Sequence, residues 1–182
     1  MNQSIYQMIS FLLNYPNKKM VEILPELQEE LEEIENPKVK ENIKEFIKLS
    51  QNRSLDDWIS HYIQHFDFGR LTNLYVTYLK LGEQRERGLE LLKLKKYYEA
   101  HGFHVTEKEL PDYLPLMLEF CGHVPVDISN ELLSMHGKAI AEIQNKFNEN
   151  NSYYRLLFDA LFLNMSDNGL TFTVAEESLG GK

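Results

Sequence analysis

A chain of 182 residues with 43% hydrophobic and 26% charged side chains has the profile of one soluble globular domain, long enough to bury a real core. Its formal charge of −9 argues against binding nucleic acid, because affinity for a phosphate backbone comes from excess lysine and arginine. No apolar run approaches the roughly 20 residues needed to cross a bilayer, which argues against direct membrane insertion.

In chain order, apolar residues recur at helical spacing almost throughout. Ser4 is expected to cap a first helix that buries Ile5, Met8, Ile9, Leu12 and Leu13 and stops before Pro16. A second helix is predicted from about Asn17 to Glu35, with Met20, Leu24, Leu27, Leu31 and Ile34 on one stripe and Pro25 kinking or dividing it. Its other face carries seven glutamates between Glu22 and Glu35 and supplies much of the negative charge. Pro37 fits the first turn of a third helix that buries Val39, Ile43, Phe46 and Ile47. Ser54 with Asp57 resembles a capping box opening a fourth, through Trp58, Ile59, Tyr62 and Phe66.

After a turn at Asp67-Phe68-Gly69, the spacing of Leu71, Leu74, Tyr75, Tyr78 and Leu79 predicts a helix ended by Gly82. The next helix runs from about Glu83 to His101, burying Leu89, Leu92 and Tyr97, and ends at Gly102. A connector around Val105 to Leu110 leads to a helix from about Pro115 to Cys121. Asp127 or Ser129 is expected to cap a long helix with Leu132, His136, Ala139, Ile140, Ile143 and Phe147 on its stripe, and Ser152 to cap the last. The fold class is therefore all-α, a helical bundle of about eight to ten helices. Residues 1–170 are read as one domain, and 171–182 as a mobile C-terminal tail.

Compartment signals are few. The single cysteine, Cys121, fits a reducing environment, and the opening M-N-Q-S-I-Y-Q-M has no basic region or cleavage site of a signal peptide. The expected location is the cytoplasm.

The search for chemistry returns mainly absences. The sequence has no G-x-G-x-x-G, no phosphate loop and no G-x-S-x-G elbow, so no enzymatic activity is expected. His61 and His65 have the i, i+4 spacing that lets two imidazoles share a metal, yet H-Y-I-Q-H lacks the glutamate of H-E-x-x-H and a third ligand. Two surface histidines are the preferred reading, and no metal or cofactor is expected. Cys121 and His123 face different ways on a helix, so Cys121 reads as a half-buried structural thiol. The glutamates of the second helix read as a solvated face, with an acid patch for a basic partner as the alternative.

Two features are more selective. Arg85 and Arg87, followed by Lys93, Lys95 and Lys96, form a positive strip on an acidic protein, or pair locally, as Glu83 with Arg87. Gly88 inside that helix costs about 1 kcal/mol against alanine, which points to a close approach by another backbone or a ligand. In E-L-P-D-Y-L-P, Pro111 and Pro115 fix two φ angles, Asp112 can accept from amides of the following helix start, and Tyr113 projects a ring with a polar tip. That turn is either a well-capped loop or a binding platform.

F-D-F-G-R-L-T-N-L-Y-V-T-Y (Phe66 to Tyr78), G-E-Q-R-E-R-G (Gly82 to Gly88), L-L-x-L-K-x-x-Y-E-A-H-G (Leu91 to Gly102) and E-L-P-D-Y-L-P-L-M-L-E-F (Glu109 to Phe120) together resemble the respiratory nitrate reductase assembly chaperones of the NarJ or delta-subunit type. F-L-L-N-Y-P (Phe11 to Pro16) is similar too. The resemblance implies an all-helical cytoplasmic chaperone that binds the N-terminal region of the nitrate reductase catalytic α subunit. It implies that the chaperone promotes insertion of the molybdenum cofactor before membrane attachment, and acts as a monomer or weak homodimer. The family's acidic-proline turn carries over onto Glu109, Pro111, Asp112 and Tyr113, and its arginine block onto Arg85, Arg87 and Gly88; Glu83 stands where the family often has Asp. An aromatic ladder of Tyr75, Tyr78, Tyr97 and Tyr113 either lines a groove for the client peptide or belongs to the core. The alternatives are a chaperone of a dimethyl sulfoxide or trimethylamine oxide reductase, and a weak nucleotide-binding protein using the arginine strip.

Overall fold

Asn17 opens the second helix by accepting the Met20 amide on its side chain at 2.8 Å, and this kind of local cap sets several of the boundaries. The structure, a computed structural model, describes residues 2–67, 73–82 and 84–170. Among them the regular elements are all helices, with no strand. These are α1 (Asn2–Leu13), α2 (Lys18–Glu30), α3 (Pro37–Gln51), α4 (Leu55–Tyr62), α5 (Tyr78–Leu81), α6 (Arg85–Ala100), α7 (Leu114–Cys121), α8 (Val126–Glu149) and α9 (Arg155–Asp167). The expected tail at 171–182, the turn after Asp67 with Leu71, and Glu83 as a partner for Arg87 lie outside the described residues.

The stripe of α2 packs as its spacing predicts, with Met20, Leu24, Leu27, Leu31 and Ile34 all buried. Pro25 does not divide the helix. It sits on the exposed face, where the carbonyl four residues back, deprived of its helical donor, can turn to water. The helix ends sooner than expected, in a 3-10 turn at Leu31–Glu33. Asn36 accepts the Lys38 and Val39 amides ahead of Pro37 and so starts α3. Ser54 accepts the Asp57 amide at 3.1 Å and starts α4, which widens into a π-type turn at Ile63–Asp67.

Three caps differ from expectation. Helix α1 begins at Asn2, so Ser4 lies in its first turn; the Asn164 amide donates to the Asn2 carbonyl and the Asn2 amide to Asn168, which holds that turn from 162 or more residues away. Helix α8 starts directly after Pro125, leaving Asp127 and Ser129 inside it. Ser152 accepts the Tyr154 amide one turn ahead of α9 and does not sit at its cap position.

Helix α9 packs on α1, α3 and α8, and α1 packs on α7. The close α1–α7 approach explains Gly122, since a Cβ there would stand 2.3 Å from the Gln7 Cγ. One core cluster runs from Ile5 to Met165, and each large apolar side chain in it contributes about 1.5–3 kcal/mol by leaving water. An aromatic group of Phe46, Trp58, Phe66, Phe147 and Tyr154 sits in it, with the Trp58 indole donating to the Tyr154 hydroxyl at 3.0 Å.

Two larger corrections concern the middle of the chain. Residues 73–77, expected to be helical, form a non-helical stretch with a single bridge at Tyr75 and a turn at Val76-Thr77, and helix is confined to Tyr78–Leu81. The backbone donors and acceptors there are taken from a distance: Val76 N–H donates to the Asp112 carbonyl at 3.0 Å, and Leu114 N–H to the Leu74 carbonyl at 2.7 Å. Helix α6 buries Leu94 and Tyr98, while Leu89 and Leu92 are 58% and 48% exposed and Tyr97 is half-buried. Apolar residues occupy several faces of α6, so composition does not choose between them; packing does. Gly82 and Gly102 end α5 and α6 at φ of +56° and +85°, as their positions predict. Among the described residues no helix is long and apolar enough to cross a membrane.

Candidate functional site

The segment at 73–77 and the E-L-P-D-Y-L-P turn meet in a single antiparallel bridge, paired at Tyr75 and Tyr113. That pairing brings together residues separated by more than thirty positions. The rings of Tyr75 and Tyr113 lie 5.1 Å apart. The Tyr75 hydroxyl donates to the Glu109 carboxylate at 2.7 Å. Burial, reinforced by that carboxylate, pushes the Tyr75 phenol well above its usual range.

Asp112 is the brace of the site rather than its contact surface. It is fully buried. Its carboxylate accepts from the Thr77 amide at 3.2 Å, from the Thr77 hydroxyl at 2.6 Å and from the Arg87 guanidinium at 3.2 Å. Contrary to expectation, it does not accept from amides of the following helix start; α7 starts after Tyr113 without a side-chain cap. Three donors and an opposite charge are what a buried carboxylate requires to be stable. Arg87 also donates to the Thr77 hydroxyl and stands 5.2 Å from the Tyr78 ring centroid and 5.9 Å from that of Tyr75.

The other expected residues divide into two groups. Pro111 is buried, and its carbonyl accepts from the Tyr98 hydroxyl at 2.8 Å. Tyr98 is a residue the sequence did not single out; it fastens α6 to the turn. Tyr97, expected in the aromatic ladder, turns elsewhere: its hydroxyl donates to the Ile128 carbonyl at 3.2 Å, and its ring packs against His101 and Phe120. Arg85 is exposed at the start of α6. Gly88, expected at a close approach, faces open space, with nothing within 4 Å of a Cβ placed there.

Sequence reasoning also missed Tyr15 and Tyr62. The Tyr62 hydroxyl lies 3.4 Å from that of Tyr113, and the Tyr15 ring packs edge-on against Tyr62 at 5.3 Å. Tyr15, Tyr62, Phe66, Leu74, Tyr75 and Tyr113 line a cavity of about 220 Å³. One signal for it was present: in L-Y-V, apolar Leu74 and Val76 flank Tyr75, and the two are buried while Tyr75 is half-buried, the alternation of a bridged residue.

The two histidines form a separate feature. His61 and His65 are half-buried rather than exposed, with rings 4.3 Å apart. His61 stacks on Tyr153 and Tyr154, and its Nε2 is 2.9 Å from the Ser152 hydroxyl. Burial, with help from His65 and Arg53, pushes His61 down to about 4. Among the described residues no group of three or more His, Cys, Asp or Glu side chains is placed to hold a metal. Cys121 is fully buried, not half-buried, and burial raises its thiol well above the ordinary range.

With this geometry in view, the family model described as "Nitrate reductase delta subunit" matches residues 24–159. A Bacillus subtilis (strain 168) protein named as a probable nitrate reductase molybdenum cofactor assembly chaperone, NarJ, is 39% identical over 172 residues, covering 94% of each chain. The Escherichia coli (strain K12) protein named as the nitrate reductase molybdenum cofactor assembly chaperone NarJ is 31% identical over 155 residues, covering 84% of this chain and 66% of that one. Among solved structures, a protein from Archaeoglobus fulgidus assigned to redox enzyme maturation has a TM-score of 0.63 at 20% identity. It covers 88% of this chain and 90% of its own, a likeness that concerns the fold alone.

Proposed function

Because the chain belongs to the nitrate reductase delta subunit family, we propose that it binds the N-terminal region of a nitrate reductase catalytic α subunit and keeps it open for molybdenum cofactor insertion before membrane attachment. It is an assembly chaperone of the nitrate reductase type, not an enzyme. The observation that carries this reading is the match to the Bacillus subtilis relative across 94% of both chains at 39% identity.

The client face in this reading is the surface built on Tyr75, Glu109 and Tyr113, with Tyr78, Arg87, Pro111 and Asp112 holding it in shape and Arg85 at its rim. Tyr97 contributes through its contact with the start of α8. A peptide laid on this face meets rings whose positions are already fixed, so little ordering entropy is lost on the chaperone side. The chain acts in the cytoplasm, as a monomer or weak homodimer, through one helical domain at 1–170.

The test is calorimetric titration with a synthetic peptide copied from the N-terminus of the same organism's nitrate reductase α subunit. Saturable binding that weakens on Tyr113→Ala, with the unfolding temperature retained, supports the client and the face. Absence of binding at high peptide concentration excludes this client segment.

A further inference from the structure

The geometry points to an aromatic cage for a single cationic side chain, lysine or arginine, at the mouth of this site. The inference rests on the reading that this face takes the client peptide, and it names the chemistry that the peptide must supply there.

The cage is the cavity of about 220 Å³ enclosed by Tyr15, Tyr62, Phe66, Leu74, Tyr75 and Tyr113. Its floor is the edge of the core: Tyr62, Phe66 and Leu74 are 4%, 5% and 2% exposed. Its walls reach solvent, Tyr15 at 45% exposure and Tyr75 and Tyr113 half-buried. The rings are mutually braced, Tyr15 against Tyr62 at 5.3 Å, Tyr62 against Phe66 at 4.7 Å and Tyr75 against Tyr113 at 5.1 Å. Five of the six lining side chains are therefore aromatic, and their spacing leaves room for one chain end.

Two observations select a cation over a neutral apolar group. Aromatic faces carry the negative part of the ring quadrupole, so several of them around one small space attract positive charge. Glu109 adds a full negative charge beside them. Its carboxylate accepts from the Tyr75 hydroxyl and from the Leu110 amide, and none of the ion pairs among the described residues involves it. Asp112, by contrast, is already matched by Arg87. Glu109 does not itself line the cavity; it is one hydrogen bond away, behind the Tyr75 hydroxyl, where its negative charge favours an ammonium or guanidinium over a neutral side chain. The same tyrosine already serves a cation on the Arg87 side, with the guanidinium 5.9 Å from its centroid.

The experiment uses the full chain with isotope-labelled tyrosine rings, observed by NMR during titration with N-acetyl-arginine amide, N-acetyl-lysine amide, N-acetyl-citrulline amide and N-acetyl-phenylalanine amide. Expected are saturable shifts of Tyr15, Tyr75 and Tyr113 with at least one cationic probe. Citrulline, which keeps the shape of arginine without its charge, binds roughly tenfold more weakly or worse, as the loss of about 1.4 kcal/mol of cation–π and ionic attraction gives. The stronger of the arginine and lysine probes identifies the side chain. Glu109→Gln reduces cation binding to the citrulline level, and Tyr15→Ala, at an exposed position, does so without altering the fold. Equal or tighter binding of citrulline or phenylalanine, or no saturable shift with either cation, overturns the cage. A client peptide that binds by calorimetry while the cage probes do not separates failure of this inference from failure of the client reading; probes that bind while the peptide does not indicate the reverse.

Discussion

The guanidinium of Arg87 lies 3.2 Å from a carboxylate oxygen of Asp112, which has no exposed surface. This pair joins α6 to the turn that presents Tyr113, and Thr77 completes it from the turn ahead of α5. Removing either partner strands the other. Asp112→Ala is expected to cost about 3 kcal/mol, lowering the unfolding temperature by about 6–12 °C for a chain of this size. Arg87→Ala is expected to cost somewhat less, because Asp112 keeps the Thr77 donors. The double variant should be less destabilised than the sum of the two, since each single change removes the same interaction. Calorimetric or chemical unfolding of all three checks this, and strictly additive losses would refute the shared network.

Gly88 sits inside α6 with open space around it. Gly88→Ala should raise stability by about 0.5–1 kcal/mol, through lost freedom of the unfolded chain and better helix propensity. If the glycine serves the approach of a client backbone, the same variant weakens peptide binding while the unfolding temperature rises. Stability and affinity measured on one preparation distinguish a helix defect from a contact position.

His61 sets a pH dependence whose sign follows from its burial. Its pKa falls from the ordinary 6.5 to about 4 in the folded chain, so the unfolded state takes up the proton first as pH drops. The stability that neutral His61 supports is fully present above about 6.5 and is lost progressively as pH falls towards 4. The groups facing it are His65, Arg53, Ser152, Tyr153 and Tyr154. Comparison of unfolding at pH 7.5 and 5.5 should show a loss that is smaller in His61→Gln; an equal loss in both proteins would remove His61 as the cause.

Cys121 is fully buried in α7, and burial holds its thiol well above the usual range. A thiolate-directed reagent should therefore leave the native protein unlabelled for as long as it stays folded and react fully in denaturant. Rapid stoichiometric labelling under native conditions would contradict the packing of α1 on α7.

Much of the helical framework was readable from local chemistry. Asn36 with Pro37, Ser54 with Asp57, Gly82 and Gly102 mark ends by interactions that reach no further than four residues, or by a φ that only glycine takes freely. The stripe of α2, Met20, Leu24 and Leu27, is equally local, because one buried face at a period of 3.6 residues leaves a direct trace in the sequence. The four blocks Phe66–Tyr78, Gly82–Gly88, Leu91–Gly102 and Glu109–Phe120 together were likewise enough to indicate the family.

Tertiary structure decided how the candidate site is built. Residues 73–77 have helical spacing, yet the Val76 amide donates to the Asp112 carbonyl and the Leu114 amide to the Leu74 carbonyl, so the segment pairs with the distant turn and is not helical. Asp112 was legible as a hydrogen-bond acceptor, but its donors arrive from Thr77 and Arg87, 35 and 25 positions earlier. Tyr15 and Tyr62 join Tyr113 because the loop after α1 and the end of α4 deliver them to the same turn. A buried polar group must be satisfied by whatever donor lies nearest in space, and a linear pattern carries no record of which donor that will be.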